Sequence, residues 1–145
     1  MKRFVAFDQD QDSLAVVRSH GNRYASLETI QGSIVDLIKG RDIGKFDLIY
    51  SAGLYDYLSM KIARKLTAAL FSRLNPGGCL LIGNFLDGIR DRGYMEICMD
   101  WSLIFRNQTN IIGFSNDIID QEVQSMSYFT DPVRNVGYLE IQRVA

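Results

Sequence analysis

Four apolar runs in this chain stop at small, polar or acidic residues, and those stopping points hold the groups best able to do chemistry. "RFVAFD" ends at Asp8 with Gln9 beside it, and "TIQGS" ends at Gly32 and Ser33, ahead of Ile34 and Val35. "FDLIYS" ends at Ser51, Ala52 and Gly53, and "CLLIGNF" carries Gly83 and Asn84. In open α/β sheets ligands lie beyond the carboxyl ends of the strands. A carboxylate at such an end can accept both hydroxyls of a ribose, a role open to Asp8, with Gln9 on the adenine side. Asp8, Asp10 and Asp12 can equally be a solvated loop and a helix cap. Ser33 followed by Ile34 and Val35 offers a short polar group and a flat apolar wall, which suits a purine edge and also suits a turn entering the core. Ser51, Ala52 and Gly53 let a ligand approach the backbone closely. Tyr55, Asp56 and Tyr57 then supply bulk and polarity at the entrance, with Asn84 on the same substrate side. Tyrosines that open a helix also serve as packing.

Other arrangements carry less. Tyr94 and Trp101 share an apolar helical face and read as core. Glu96 and Asp100 lie four apart, but no histidines or cysteines are spaced to join them, so they read as a solvated face and no metal site is expected. His20, the only histidine, stands beside Gly21 and completes no Ser-His-Asp set. Cys79 and Cys98 have no CxxC spacing and are expected as buried thiols.

The elements that position these groups can be read from the apolar pattern. "RFVAFD" is a short strand, followed by a helix over "LAVVRSH" that Asp12 and Ser13 can cap and Gly21 can end. "ASLETIQGS" reads as a second strand. In "FDLIYSAG" Leu48, Ile49 and Tyr50 are apolar in succession, as in a parallel strand covered on both faces. A helix is expected from about Ser59 to Leu74, because Leu58, Ile62, Leu66, Leu70 and Leu74 recur every fourth residue; "NPGG" stops it. "CLLIGNF" is the next strand. Tyr94, Ile97, Cys98, Trp101, Ile104 and Phe105 fit one side of a helix reaching about Arg106. "VQSMSYFTD" and "VGYLEIQRV", separated by "PVRN", form an antiparallel hairpin. The order predicts a doubly wound α/β sheet, mostly parallel, with a carboxy-terminal hairpin.

At 145 residues the chain suits a single domain able to bury roughly 68–70% of its unfolded surface. Sixteen basic against 17 acidic residues leave no footprint for a polyanion, so nucleic acid is not an expected partner. No apolar run reaches the roughly 18 residues of a membrane span. The opening "MKRFVAFDQD" meets acids too early for a signal peptide, which gives a cytoplasmic expectation.

Several segments together resemble the class I S-adenosylmethionine-dependent methyltransferases. "FVAFDQDQDSL" is similar to that fold's second strand with its ribose-binding acid, "IQGSIVDL" to its adenine-lining turn, "FDLIYSAGLYDYLS" to its fourth strand and loop, and "LFSRLNPGGCLLIGNF" to its helix, glycine turn and fifth strand. "AGLYDYLS" and "GYMEICMDWSLIFR" further resemble the methyltransferase domain of 3-hydroxypalmitic acid methyl ester synthase-like proteins. The resemblance implies a Rossmann-like fold and S-adenosylmethionine as cofactor. It implies Asp8, Gln9, Ser33, Ile34, Ser51, Ala52 and Gly53 around that cofactor, and Tyr55, Asp56, Tyr57 and Asn84 on the side of a small or fatty-acid-like carboxylate acceptor. A carboxylate acceptor needs no general base. The resemblance also leaves out the family's first strand and its G-x-G loop, which are central in its sheet. The expectation is therefore residues 1–145 as an amino-terminally incomplete domain that alone binds cofactor weakly or not at all. "RFVAFD" would then pair with "FDLIYS", or a homodimer or strand exchange would fill the gap. The rival readings are a non-catalytic methyltransferase-like interaction domain and a receiver-like signalling module. The latter lacks an aspartate and a lysine where Ser51 and Gly83-Asn84 stand.

Overall fold

Phe4–Asp8 (β1) and Leu27–Gln31 (β2) are five-residue strands that pair in parallel, with Asp8 opposite Gln31. They belong to a computed structural model that describes residues 3–21 and 26–145. Those residues form two compact units, 1–42 and 43–145.

In the first unit Gln11–Gly21 (α1) follows β1. Its cap is Asp10, not the expected Asp12 and Ser13. One Asp10 oxygen accepts the Asp12 amide at 3.1 Å, and the other accepts the amide of Ser13 at 3.1 Å and its hydroxyl at 2.6 Å. A carboxylate must precede the amides it caps, which is why the acid upstream of the helix serves. Gly21 does end α1, and contact requires it: a Cβ there would lie 1.8 Å from Leu27 Cδ2. Ile34–Ile38 (α2) is a short helix absent from the sequence reading.

The second unit contains Phe46–Ser51 (β3), Met60–Phe71 (α3), Leu74–Phe85 (β4), Arg92–Cys98 (α4), Gln108–Ile112 (α5), Val123–Thr130 (β5) and Val136–Arg143 (β6). Its sheet has the order β3-β4-β6-β5, with β3 parallel to β4 and the other pairs antiparallel. The expected hairpin is therefore present. The Asp131 carboxylate tightens it by accepting the amides of Asn135 and Val136 at 2.7 Å each. The stripe of α3 is Ala63, Leu66, Thr67, Leu70 and Phe71, all buried. With Leu80, Ile82, Ile111, Phe114, Leu139 and Ile141 these residues form the core. On β6 the buried residues Gly137, Leu139 and Ile141 alternate, as a strand with one covered face requires.

Other expectations change. α3 ends at Phe71, and "NPGG" lies within β4 as a bulge rather than standing outside it as a turn. The register passes from Phe46 opposite Leu74 to Leu48 opposite Cys79, and Gly77 takes a φ of +72°. The long helix toward Arg106 stops at Cys98, because Asp100 adopts φ +50° and the chain then runs without regular structure to Arg106. Aspartate tolerates that left-handed conformation, and a helix cannot pass through it. The face expected to pack is split, with Tyr94 exposed and Ile97 85% exposed while Trp101 and Phe105 are half-buried against the cluster of Ile89, Met95 and Leu103. Met95 points inward to Ile89 and Leu103 instead. Neither cysteine is in a disulfide. Cys98 is exposed, correcting the buried-thiol expectation, while Cys79 is half-buried. Burial, and secondarily Glu140, pushes the Cys79 thiol up.

Candidate functional site

In the first unit the parallel register carries Asp8 and the Gln31–Ser33 corner to the same sheet end. The Asp8 carboxylate is exposed and accepts the Asp10 amide at 2.9 Å, while its carbonyl accepts Gly32 N–H at 2.9 Å. The Gln9 carbonyl accepts Gln31 Nε2 at 3.3 Å. Ser33 is the N-cap of α2. Its hydroxyl donates to Asp36 at 3.0 Å and accepts the Asp36 amide at 3.3 Å, and Asp36 in return accepts the Ser33 amide at 2.9 Å. This reciprocal box explains the helix that the sequence reading lacked. It also holds the Asp36 carboxyl below its usual range through the Ser33 backbone and side-chain bonds. Ile34 is the first residue of α2 and is half-buried. Gly32 is in close contact: a Cβ would come within 2.4 Å of Arg41 Nη1 and 2.8 Å of Phe7.

In the second unit β3 ends at Ser51, opposite Ile82, and Ala52 and Gly53 follow exposed. Gly53 has φ +87°, and a Cβ there would meet nothing within 4 Å, so its requirement is conformational. A 3₁₀ turn then spans Tyr55–Tyr57. Tyr55 is wholly buried, its hydroxyl 3.0 Å from Thr67 Oγ1 and its ring centroid 5.0 Å from that of Phe114. Burial pushes its phenol far up, and the Thr67 bond opposes this. Asp56 is 1% exposed; its carboxylate accepts the Phe85 amide at 2.7 Å and its carbonyl accepts the Ile104 amide at 2.7 Å. Burial pushes its carboxyl up to about 6, with the Phe85 bond and the charge of Arg106 pulling the other way. Tyr57 is 57% exposed, and its hydroxyl accepts Trp101 Nε1–H at 2.6 Å. Trp101 meets Phe85 edge-on at 5.9 Å.

Asn84 is fully buried, because β4 continues past it to Phe85 and pairs it with Gly137. Its amide donates to Phe85 O at 2.8 Å and Ile104 O at 3.0 Å. Of the four residues expected on the acceptor side, then, Tyr57 presents its side chain outward while Tyr55, Asp56 and Asn84 lie beneath. The residue missed by sequence reasoning is Arg106, 4% exposed. It donates through Nη1 to Tyr55 O at 2.8 Å and to Asn84 Oδ1, and through Nη2 to Leu58 O. Its signal was a lone base closing "WSLIFR", hidden by the assumption of a helix.

Solved structures resemble this arrangement, although no protein-family model and no curated protein matches the chain. An O-methyltransferase family protein from Burkholderia thailandensis superposes with a TM-score of 0.76 at 14% identity, covering 99% of this chain and 44% of that one. The chain has the fold of the methyltransferases. N-methyltransferase NodS from Bradyrhizobium japonicum WM9, in complex with S-adenosyl-L-homocysteine, shares this methyltransferase fold with a TM-score of 0.68 at 17% identity over 98% of this chain and 67% of that one. A possible exported protein from Bordetella parapertussis gives 0.77 at 14% identity, covering 99% of this chain and 54% of that one. The chain thus spans about half the length of the Bordetella protein. Among the described residues no helix of this methyltransferase fold is long and apolar enough to cross a membrane.

Proposed function

We propose that the chain is the cofactor-binding part of an S-adenosylmethionine-dependent methyltransferase acting on the carboxylate of a small or fatty-acid-like acceptor. The observation that carries this reading is the exposed Asp8 carboxylate at the carboxyl end of β1, beside the Gly32–Ser33 corner of β2, in a fold shared with NodS and its bound S-adenosylhomocysteine. Asp8 would hold the ribose hydroxyls, and Gln9 and Ile34 would flank the adenine. Because the Ser33 hydroxyl is engaged with Asp36, its contribution is to fix the start of α2. At the end of β3, Ser51, Ala52 and Gly53 would let a ligand approach the backbone closely. When bound, the cofactor supplies an electrophilic methyl group. The chain's own task is orientation, since an ionised carboxylate needs no proton removed. That agrees with the burial of Asp56, which leaves no carboxylate of this turn at the surface to act as a base.

Asp8→Ala is expected to weaken S-adenosylhomocysteine binding about tenfold or more, the equivalent of one charge-assisted hydrogen-bond pair. Isothermal calorimetry of both proteins measures this, and equal affinities would remove Asp8 from the site. β1 and β3 each have one strand partner within their unit. Cofactor binding is therefore expected to tighten when these edges are covered, by a preceding segment of a longer protein or by a second copy exchanging a strand. One observation favours a second reading, a non-catalytic methyltransferase-like interaction domain: Tyr55, Asp56 and Asn84 are all turned to internal bonding. Incubation with methyl-labelled cofactor and a panel of carboxylic acids separates the two.

A further inference from the structure

Two segments distant in sequence meet at the outward tyrosine. Tyr57 comes from the turn after β3, and Trp101 from the irregular stretch after α4. Their side chains are joined by a 2.6 Å hydrogen bond. A bond between two half-exposed rings does not hold its own geometry, because each segment must be ordered at an entropic cost. Trp101 is held locally by its backbone N–H donating to Met95 O at 2.9 Å and by its edge contact with Phe85, and one buried side chain ties both segments to β4.

Arg106 forms a parallel bridge with Leu86, its amide donating to Phe85 O at 3.0 Å and its carbonyl accepting Asp87 N–H at 3.0 Å. From there the guanidinium reaches the carbonyls on either side of Asp56 and Tyr57. Nη1 donates to Tyr55 O at 2.8 Å, and Nη2 donates to Leu58 O. Its Cζ sits 5.1 Å from the centre of the Phe114 ring. Asn84 completes the clamp, accepting from Nη1 and donating to Ile104 O at 3.0 Å, while Ile104 N–H donates to Asp56 O at 2.7 Å. Both segments are thus tied to the end of β4 through one cation. We propose that Arg106 is a positioning residue that holds Tyr57 and Trp101 together as a single aromatic wall for the acceptor. The assignment of that wall to the acceptor rests on the methyltransferase reading above; the clamp itself does not.

The chemistry asks for arginine. A planar fork can address two carbonyls three residues apart together with an amide oxygen, whereas an ammonium concentrates its donors at one atom. Lysine keeps the charge and loses the span.

Trp101 is the only tryptophan, so a single indole N–H resonance reports on the wall without any assay of activity. In Arg106→Lys, folded by circular dichroism, that resonance is expected to shift toward its position in Tyr57→Phe, and its exchange with water to accelerate about tenfold, as for a hydrogen bond released to local opening. The acceptor KM is expected to rise about fivefold or more with S-adenosylhomocysteine affinity unchanged, the pattern of lost binding geometry. An unchanged indole resonance in folded Arg106→Lys would overturn the proposal and leave Arg106 as a packing residue. Should Arg106→Lys fail to fold, Asn84→Ser removes the amide arm of the clamp and is read by the same resonance with the same two outcomes. If the wild-type protein transfers no methyl group, the methyltransferase reading fails, and the indole measurement still decides the clamp.

Discussion

Phe114→Ala is expected to lower the unfolding free energy of the second unit by roughly 3–5 kcal/mol, the range for emptying a buried aromatic site. The ring is completely buried, stands 5.0 Å from Tyr55 and lies beneath the Arg106 guanidinium at 5.1 Å. Its loss leaves a void bounded on one side by a charge that cannot move to water without breaking its carbonyl bonds. Local collapse is correspondingly limited. Phe114→Leu fills most of the volume and should cost much less, about 1–2 kcal/mol, with the cation–ring attraction lost in both variants. Urea titrations of the two variants measure the difference. An alanine variant within about 1 kcal/mol of wild type would show that the site closes freely.

The second large effect is one of pH. Asp56 has its carboxyl pushed up to about 6 from 3.8, chiefly by burial. A raised acid keeps its proton in the folded state at pH values where the unfolded chain has already released it, so the slope of unfolding free energy against pH is negative in that window. Stability attributable to this group is therefore highest below about pH 4, falls as pH climbs toward about 6, and is flat above. This is opposite in sign to an ordinary salt-bridged aspartate. In Asp56→Asn, Oδ1 can still accept the Phe85 amide but no proton is released. The stability difference between wild type and variant should change by on the order of 1–3 kcal/mol between pH 4 and 7, in the direction that favours the variant at the higher pH. Parallel curves across that range would show that Asp56 titrates as it does in the unfolded chain.

What could be read in the sequence was what depends on neighbours along the chain. The end of β1 at Asp8, the end of β3 at Ser51 and the hairpin around 131–135 follow from an apolar run meeting residues that do not extend it. Four-residue spacing marks Leu66 and Leu70 of the α3 stripe and passes over Ala63, Thr67 and Phe71. "NPGG" was recognised as a break but not as a bulge, because the choice depends on β3 continuing alongside, which is a property of the partner strand. The capping box at Ser33 and Asp36 was legible in principle, three residues apart before an apolar stretch. Reading Ser33 as a ligand neighbour or as a plain turn leaves its capping role out. The stretch from Tyr94 to Phe105 misled because its apolar spacing fits a helix throughout, while the left-handed Asp100 carries no periodic signal. Burial of Tyr55 fits the packing alternative for a tyrosine that opens a helix, whereas burial of Asp56 and Asn84 has no local signal. Part of what this burial needs comes from Arg106, which donates to Tyr55 O from 51 residues and to Asn84 Oδ1 from 22 residues further along the chain.

The unlike situations of the two thiols have a practical corollary. Cys98 sits exposed at the last residue of α4, while Cys79 is half-buried within β4 and disfavoured as thiolate. Alkylating dyes select for exposed thiolates, so the native chain offers one labelling handle, on the segment leading into Trp101, and a fluorophore attached there would report on the ordering of that segment with no engineered cysteine.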